Sequence, residues 1–379
     1  MPRAAALSTP VRPRSTPHLA PRIASVEVAL PGHRYPQAVL LEALRARWGE
    51  GARAVARLGR LHGAMQVGER CLALPLEEYA RPRSFGEAND AFIREGTALG
   101  ERAVLGALAR AGLRPRDVDA VFFTTVTGLA TPTLDARLVS RLGLRPDVRR
   151  TPMFGLGCVG GAAGLARAND YLMGHPEHVA VLLAVELCSL TLQDDLSVAN
   201  LVATGLFGDG AACLVLEGAD RVRTLREGAW AARAAARGPR VVATASAFFP
   251  DTERVMGWDI GETGFRVVLS ADVPDVVRAN LPREVDAFLG AEGLRRDDVQ
   301  RWICHPGGPK VIDAIEEALG LSPEALAPTR RSLAEVGNLS SASVLHVLAG
   351  TVPRAVPGDL GVLMAMGPGF CAEMVLLAW

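Results

Sequence analysis

The chain has 379 residues, and its 41 basic residues are balanced by 41 acidic ones, so no net field attracts nucleic acid or an anionic membrane. Hydrophobic residues make up 49% and charged residues 22%, a globular composition without an apolar run of the roughly 18–20 residues that a spanning helix needs. Lys310 is the only lysine, so anions must be met mostly by arginine forks or backbone amides.

Residues 1–22 lack Asp and Glu and carry five prolines, which reads as a disordered tail. From there strand and helix patterns alternate. Ala24–Leu30 reads as a strand and Tyr35–Trp48 as a helix. A long helix is predicted over about Ala88–Ala111, stopped by Gly112, with a strand over Val118–Thr125. Strands rich in Val, Leu and Ala recur at 179–186, 211–216, 240–248 and 300–304. Two more, Gly361–Met366 and Ala372–Trp379, flank the turn Gly367-Pro368-Gly369. This alternation predicts a layered α/β fold. Six cysteines (71, 158, 188, 213, 304 and 371) show no CxxC spacing. That argues against a disulfide framework or a zinc site and makes a reducing cytoplasm the expected compartment.

The chain also echoes itself. Ala107–Thr125 and Phe288–Pro306 share six of 19 positions at an offset of 181, each running from helix end through a Gly stop into a strand. Gly157-Cys158 matches Gly337-Asn338 at an offset of 180, and residues 208–218 match 367–379. Three echoes in one order predict a duplicated unit, with halves at 23–228 and 229–379. Packed about a pseudo-twofold axis, the halves would bring Cys158 to Asn338, with His305 arriving at the end of a strand.

Each residue has a plain alternative. Cys158 lies among glycines at a predicted helix start, where a thiolate is favoured; most free cysteines are instead inert core residues. His305 ends an apolar strand before Pro306-Gly307-Gly308, at the lip where α/β folds bind ligands. Asn338 alone reads as a helix N-cap, and only its equivalence to Cys158 suggests more. The other six histidines, at 18, 33, 62, 175, 178 and 346, read as surface or core.

These motifs, with Leu206-Phe207-Gly208-Asp209-Gly210-Ala211, Leu339-Ser340-Ser341-Ala342 after Asn338, and Gly367-Pro368-Gly369-Phe370, resemble the type III polyketide synthases from about residue 23 to 379. That group includes chalcone synthase and bacterial alkylpyrone, alkylresorcinol and tetrahydroxynaphthalene synthases. The resemblance implies a thiolase-like fold, a duplicated layered αβαβα unit with pseudo-twofold symmetry, in a homodimer. It implies acyl-CoA and malonyl-CoA as substrates, with no metal or bound organic cofactor.

By the same resemblance, Cys158 carries the starter acyl group, while His305 and Asn338 stabilise the enolate formed as malonyl-CoA loses carbon dioxide. His305 as imidazolium would hold Cys158 ionised. Phe207 matches a gatekeeper between CoA tunnel and cavity, and reads equally well as a core residue on sequence alone. Thr125, Thr191 and Ser340 match cavity positions. Val267 falls where plant enzymes have a second gatekeeper Phe, and Thr131 where they have a Met that reaches across the dimer. Arg57 and Arg60 match CoA phosphate contacts, a third such position falls on Ala64, and Lys310 beside Gly307 and Gly308 could add one.

The C-terminal motif most resembles alkylpyrone and alkylresorcinol makers, so iterative condensation followed by cyclisation to such a product is expected. The alternatives are a tetrahydroxynaphthalene- or chalcone-type synthase, a single-condensation ketoacyl-carrier-protein synthase III, and a cysteine thioesterase. The synthase III group shows His-Gln-Ala-Asn where this chain has His305-Pro306-Gly307-Gly308.

Overall fold

A computed structural model describes Pro13 and residues 20–49, 53–222 and 238–379. The boundary expected at 228/229 and most of the expected tail lie outside these residues. Ala20, Pro21 and Arg22, assigned to the tail from sequence, belong to the folded body. Arg22 opens the first strand, and the Pro21 carbonyl accepts a hydrogen bond from Val241 N at 2.9 Å.

Thirteen strands are described: β1 Arg22–Ala29, β2 His33–Pro36, β3 Glu69–Leu72, β4 Ala120–Thr125, β5 Arg149–Phe154, β6 Val179–Leu187, β7 Asp209–Glu217, β8 Arg240–Phe248, β9 Met256–Gly261, β10 Gly264–Leu269, β11 Arg301–Cys304, β12 Leu360–Gly367 and β13 Cys371–Ala378. The α-helices among the described residues are α1 Gln37–Trp48, α2 Arg53–Ala64, α3 Phe85–Ala111, α4 Leu134–Leu142, α5 Gly160–Gly174, α6 Val198–Leu206, α7 Val273–Ala291, α8 Pro309–Leu319, α9 Ala327–Val336 and α10 Ser343–Thr351. The first predicted helix starts two residues late because Tyr35 and Pro36 pair with β3. α3 starts at Phe85 because Ser84 caps it, with Glu87 completing a capping box.

Nine strands form one sheet in the order β11-β12-β13-β8-β1-β7-β6-β4-β5. Outward from the β1/β8 seam the order repeats. β1-β7-β6-β4 matches β8-β13-β12-β11, and each series runs antiparallel, antiparallel, then parallel. The echo at 107–125 and 288–306 is a shared local structure. Gly112 and Gly293 take φ 68° and 75°, and Asp117 and Asp298 each accept from the amide three residues back, at 2.8 Å in both halves. Six matched positions in 19 thus mark two equivalent turns.

Side-chain alternation on the strands sorts the core into layers. In β6, Val179, Val181, Leu183, Val185 and Leu187 face the cluster containing α3, while Ala180, Leu182 and Ala184 face the middle cluster with α5 and α10. In β12, Val362, Met364 and Met366 face α7 and α8, and Leu363 and Ala365 return to the middle. The middle layer is crowded. A Cβ on Gly161 would stand 2.2 Å from the Ser341 carbonyl oxygen, and one on Gly160 2.5 Å from Thr124 Oγ1. Glycine is required here for close approach.

Gly161→Ala is therefore expected to destabilise the protein by about 1–3 kcal/mol through overpacking. Gly174→Ala, at the open end of the same helix with nothing within 4 Å of the added carbon, serves as the control and should be neutral or stabilising. Urea unfolding of the two variants checks the contrast.

Candidate active site

Cys158 sits in the tight turn Gly157–Val159 that leads into α5, with Gly157 at φ 55° and Cys158 buried. Its equivalent, Asn338, precedes the turn Ser340–Ala342 that leads into α10, with Gly337 at φ 73°. The two turns meet. Cys158 Sγ donates to Ser340 Oγ at 3.8 Å, and Ser340 holds a left-handed backbone, φ 50°, which a non-glycine residue adopts only at a cost.

Asn338 is fixed at both ends. Its backbone N donates to Leu206 O at 2.8 Å and its carbonyl accepts from Gly208 N at 2.9 Å, a parallel bridge that includes Phe207. Its Oδ1 accepts from Ser340 N at 2.8 Å and from Ser343 Oγ at 3.2 Å. With the oxygen occupied, the Nδ2 end is left to donate, and a hydrogen bond from this amide favours the Cys158 thiolate.

His305 follows β11, anchored by its own N–H on Met364 O at 2.9 Å, and its side chain is buried. Among the described residues neither ring nitrogen has a hydrogen-bond partner. Burial lowers its pKa to about 3, and burial, outweighing the Ser340 and Asn338 hydrogen bonds, pushes the Cys158 thiol up to about 12. Burial thus disfavours the charged form of each group taken singly.

Glu186, at the end of β6, escaped the sequence reading. Fully buried, it accepts from Val126 N at 3.1 Å, Thr127 Oγ1 at 2.8 Å, Thr125 Oγ1 at 3.3 Å and Ser341 Oγ at 2.5 Å. Burial raises its pKa, and it pushes the Cys158 thiol up as well. It ties the loop after β4 to the turn beside Cys158.

A cavity of about 430 Å³ opens between α1, α6, the Cys188–Thr191 turn and the β9–β10 hairpin. Phe207, Thr191 and Val267 line it, as expected; Thr125 instead faces Glu186, and Ser340 faces the sulfur. None of Cys158, His305 and Asn338 lines it. Phe207 connects the two regions, since it forms cavity wall and is bridged to Asn338. The wall also carries residues that sequence missed: Arg70, Tyr79, Cys188 and Ser189. Tyr79 OH lies 2.6 Å from Ser189 Oγ, which donates to Asp209, a buried carboxyl whose burial raises its pKa to about 6. Asp209 was visible only as a member of the 206–211 motif.

Arg57 and Arg60 are exposed on α2, and Lys310 is exposed in the first turn of α8, after Gly307 and Gly308. None of the three lines the cavity. At the far end of α5, His175, Glu177 and His178 bring ligand atoms within 4.8 Å of one another, a cluster passed over in sequence. Arg149 Nη1 lies 2.9 Å from His175 Nε2 and occupies that lone pair. Among the described residues no helix is long and apolar enough to cross a membrane.

Residues 77–221 match the family model for chalcone and stilbene synthases, N-terminal domain, and residues 240–378 match that for the C-terminal domain. The chain is 54% identical to a 1,3,6,8-tetrahydroxynaphthalene synthase of Streptomyces peucetius subsp. caesius, over 94% of this chain and 93% of that one. It is 35% identical to a putative chalcone synthase of Bacillus subtilis strain 168, over 94% and 98%. The crystal structure of the 1,3,6,8-tetrahydroxynaphthalene synthase of Streptomyces coelicolor A3(2) superposes with a TM-score of 0.86 at 30% identity, covering 94% of this chain and 99% of that one. These relatives favour the tetrahydroxynaphthalene alternative over the alkylpyrone product suggested by the C-terminal motif.

If His305 takes the thiol proton, wild-type Cys158 should be alkylated by iodoacetamide at pH 7 at least about tenfold faster than in His305→Gln. In that variant burial governs the thiol, so the rate should keep climbing through the alkaline range without an earlier plateau. Intact-mass measurement across pH checks both outcomes.

Proposed function

The chain belongs to the chalcone and stilbene synthase family, the type III polyketide synthases, and from that premise we propose that this acyltransferase makes 1,3,6,8-tetrahydroxynaphthalene from malonyl-CoA alone. The observation that carries the reading is 54% identity to a synthase of that product over nearly the full length of both chains. The chemistry balances: five malonyl-CoA give one tetrahydroxynaphthalene, five carbon dioxide, five CoA and one water. The product's ten ring carbons, oxygenated at alternate positions, are five two-carbon units.

In this reading Cys158 attacks the starter thioester. Its proton passes to His305, whose ring nitrogens are unpartnered, and then to the departing CoA sulfur. A proton moved from thiol to imidazole creates two opposite charges together, so each offsets the desolvation of the other. The extender malonyl group then loses its carboxyl group. The electron pair of the broken C–C bond flows to the α-carbon and thioester oxygen, where Asn338 Nδ2 and a His305 N–H stabilise the enolate. The enolate carbon attacks the acyl carbon on Cys158, and the C–S bond breaks to release the sulfur for another round. The 430 Å³ cavity beyond Phe207 falls in the range of small-molecule sites and holds the growing chain.

Arg57, Arg60 and Lys310 are exposed cations suited to CoA phosphates outside the cavity. A homodimer completes the proposal. β5 ends the sheet with one free edge among the described residues, and Phe154 at its end is 47% exposed.

Purified protein given malonyl-CoA alone should yield tetrahydroxynaphthalene by mass spectrometry; a requirement for a separate acyl-CoA starter would sink the reading. Cys158→Gln, a mimic of the acylated enzyme, is expected to keep releasing carbon dioxide from malonyl-CoA without making product. Arg60→Ala should raise the KM for malonyl-CoA with kcat spared, as loss of uniform binding does.

A further inference from the structure

The cavity wall holds two arginines in contrasting states. Arg47 is satisfied: its Nε and Nη2 grip the two oxygens of Asp194 at 2.7 and 2.8 Å, and its Nη1 donates to the Tyr79 carbonyl. Arg70 is not. It is only 5% exposed and makes no ion pair among the described residues. Its Nε donates to Gln37 Oε1 at 3.0 Å and its Nη1 to Phe207 O at 2.7 Å, both neutral acceptors, while Nη2 makes no hydrogen bond there. The carboxylate that acts on it through space is Asp209, whose oxygens are engaged by Ala73 N, Ser189 N and Ser189 Oγ. Burial lowers the Arg70 pKa to about 10, which leaves it a cation at neutral pH.

A buried guanidinium on a largely apolar wall, with a donor unspent, is a site for an anion. Its position narrows the choice. Arg70 holds the carbonyl of Phe207, and its stem lies 3.2 Å from where a Cβ on Gly337 would stand, beside Asn338. It therefore serves the end of the cavity nearest Asn338, where in the reading above the first few carbons of an acyl group would lie.

We propose that Arg70 is a starter-selecting anion subsite, which binds the carboxylate at the free end of a short dicarboxylic acyl group carried on Cys158. The proposal rests on the malonyl-primed reading above, in which the starter keeps its carboxylate until the last decarboxylation. Pairing with a guanidinium also stabilises that carboxylate against early loss as carbon dioxide.

The experiment supplies malonyl-CoA as extender with equal succinyl-CoA and butyryl-CoA, two four-carbon starters that differ in the terminal carboxylate. Mass spectrometry reads the ratio of products primed by each. Wild type should favour the succinyl-primed product. Arg70→Gln should shift the ratio toward butyryl by about tenfold or more, with Arg70→Lys between them. Equal loss with both starters would make Arg70 a purely structural residue and overturn the proposal, as would an unchanged ratio. Should Arg70→Gln fail to fold, the wild-type ratio still decides: no preference for succinyl overturns it. A wild type that makes no tetrahydroxynaphthalene from malonyl-CoA alone, yet shows the preference and its loss, would sink the product reading and leave this subsite standing.

Discussion

The contact between the helix after Cys158 and the turn after Asn338 governs the rest of the molecule. The Ser341 carbonyl lies so near α5 that position 161 has no room for a side chain. That closeness brings a sulfur from one half within reach of a hydroxyl and an amide from the other. Small residues on both sides of the interface are thus a geometric condition of the site, and the close-packed middle layer holds them in place.

The same burial sets the electrostatic problem. Thiol, imidazole and the Glu186 carboxyl are all enclosed, and burial disfavours the charged form of each. Glu186 is compensated by four hydrogen bonds, whereas among the described residues the His305 ring makes none. Such a buried imidazole is suited to receive a proton or polarise a carbonyl as substrate arrives.

Much of this was legible beforehand. Gly112 and Gly293 betrayed equivalent turns because a left-handed stop has few substitutes, and the repeat predicted the meeting of positions 158 and 338. Cys158, His305 and Asn338 stood out because glycines surround them. Arg70 and Glu186 did not, since a single arginine or glutamate carries no sign of its burial until strands β3 and β6 are placed. At Cys158 two effects oppose each other: a helix start favours a thiolate, and enclosure acts against one. The product leaning rested on a C-terminal turn, which does not encode the shape of a cavity built from α1, α6 and the β9–β10 hairpin.

The bridge between Phe207 and Asn338 carries a consequence for how such a molecule diversifies. Main-chain hydrogen bonds on both sides of Asn338 weld the cavity wall at Phe207, the proposed doorway of the chamber, to the Asn338 amide. The doorway cannot be widened by bending its backbone without dragging that amide out of register. New chamber sizes are therefore reached by exchanging side chains around a rigid frame, which leaves the reaction centre untouched while the space behind it is remodelled.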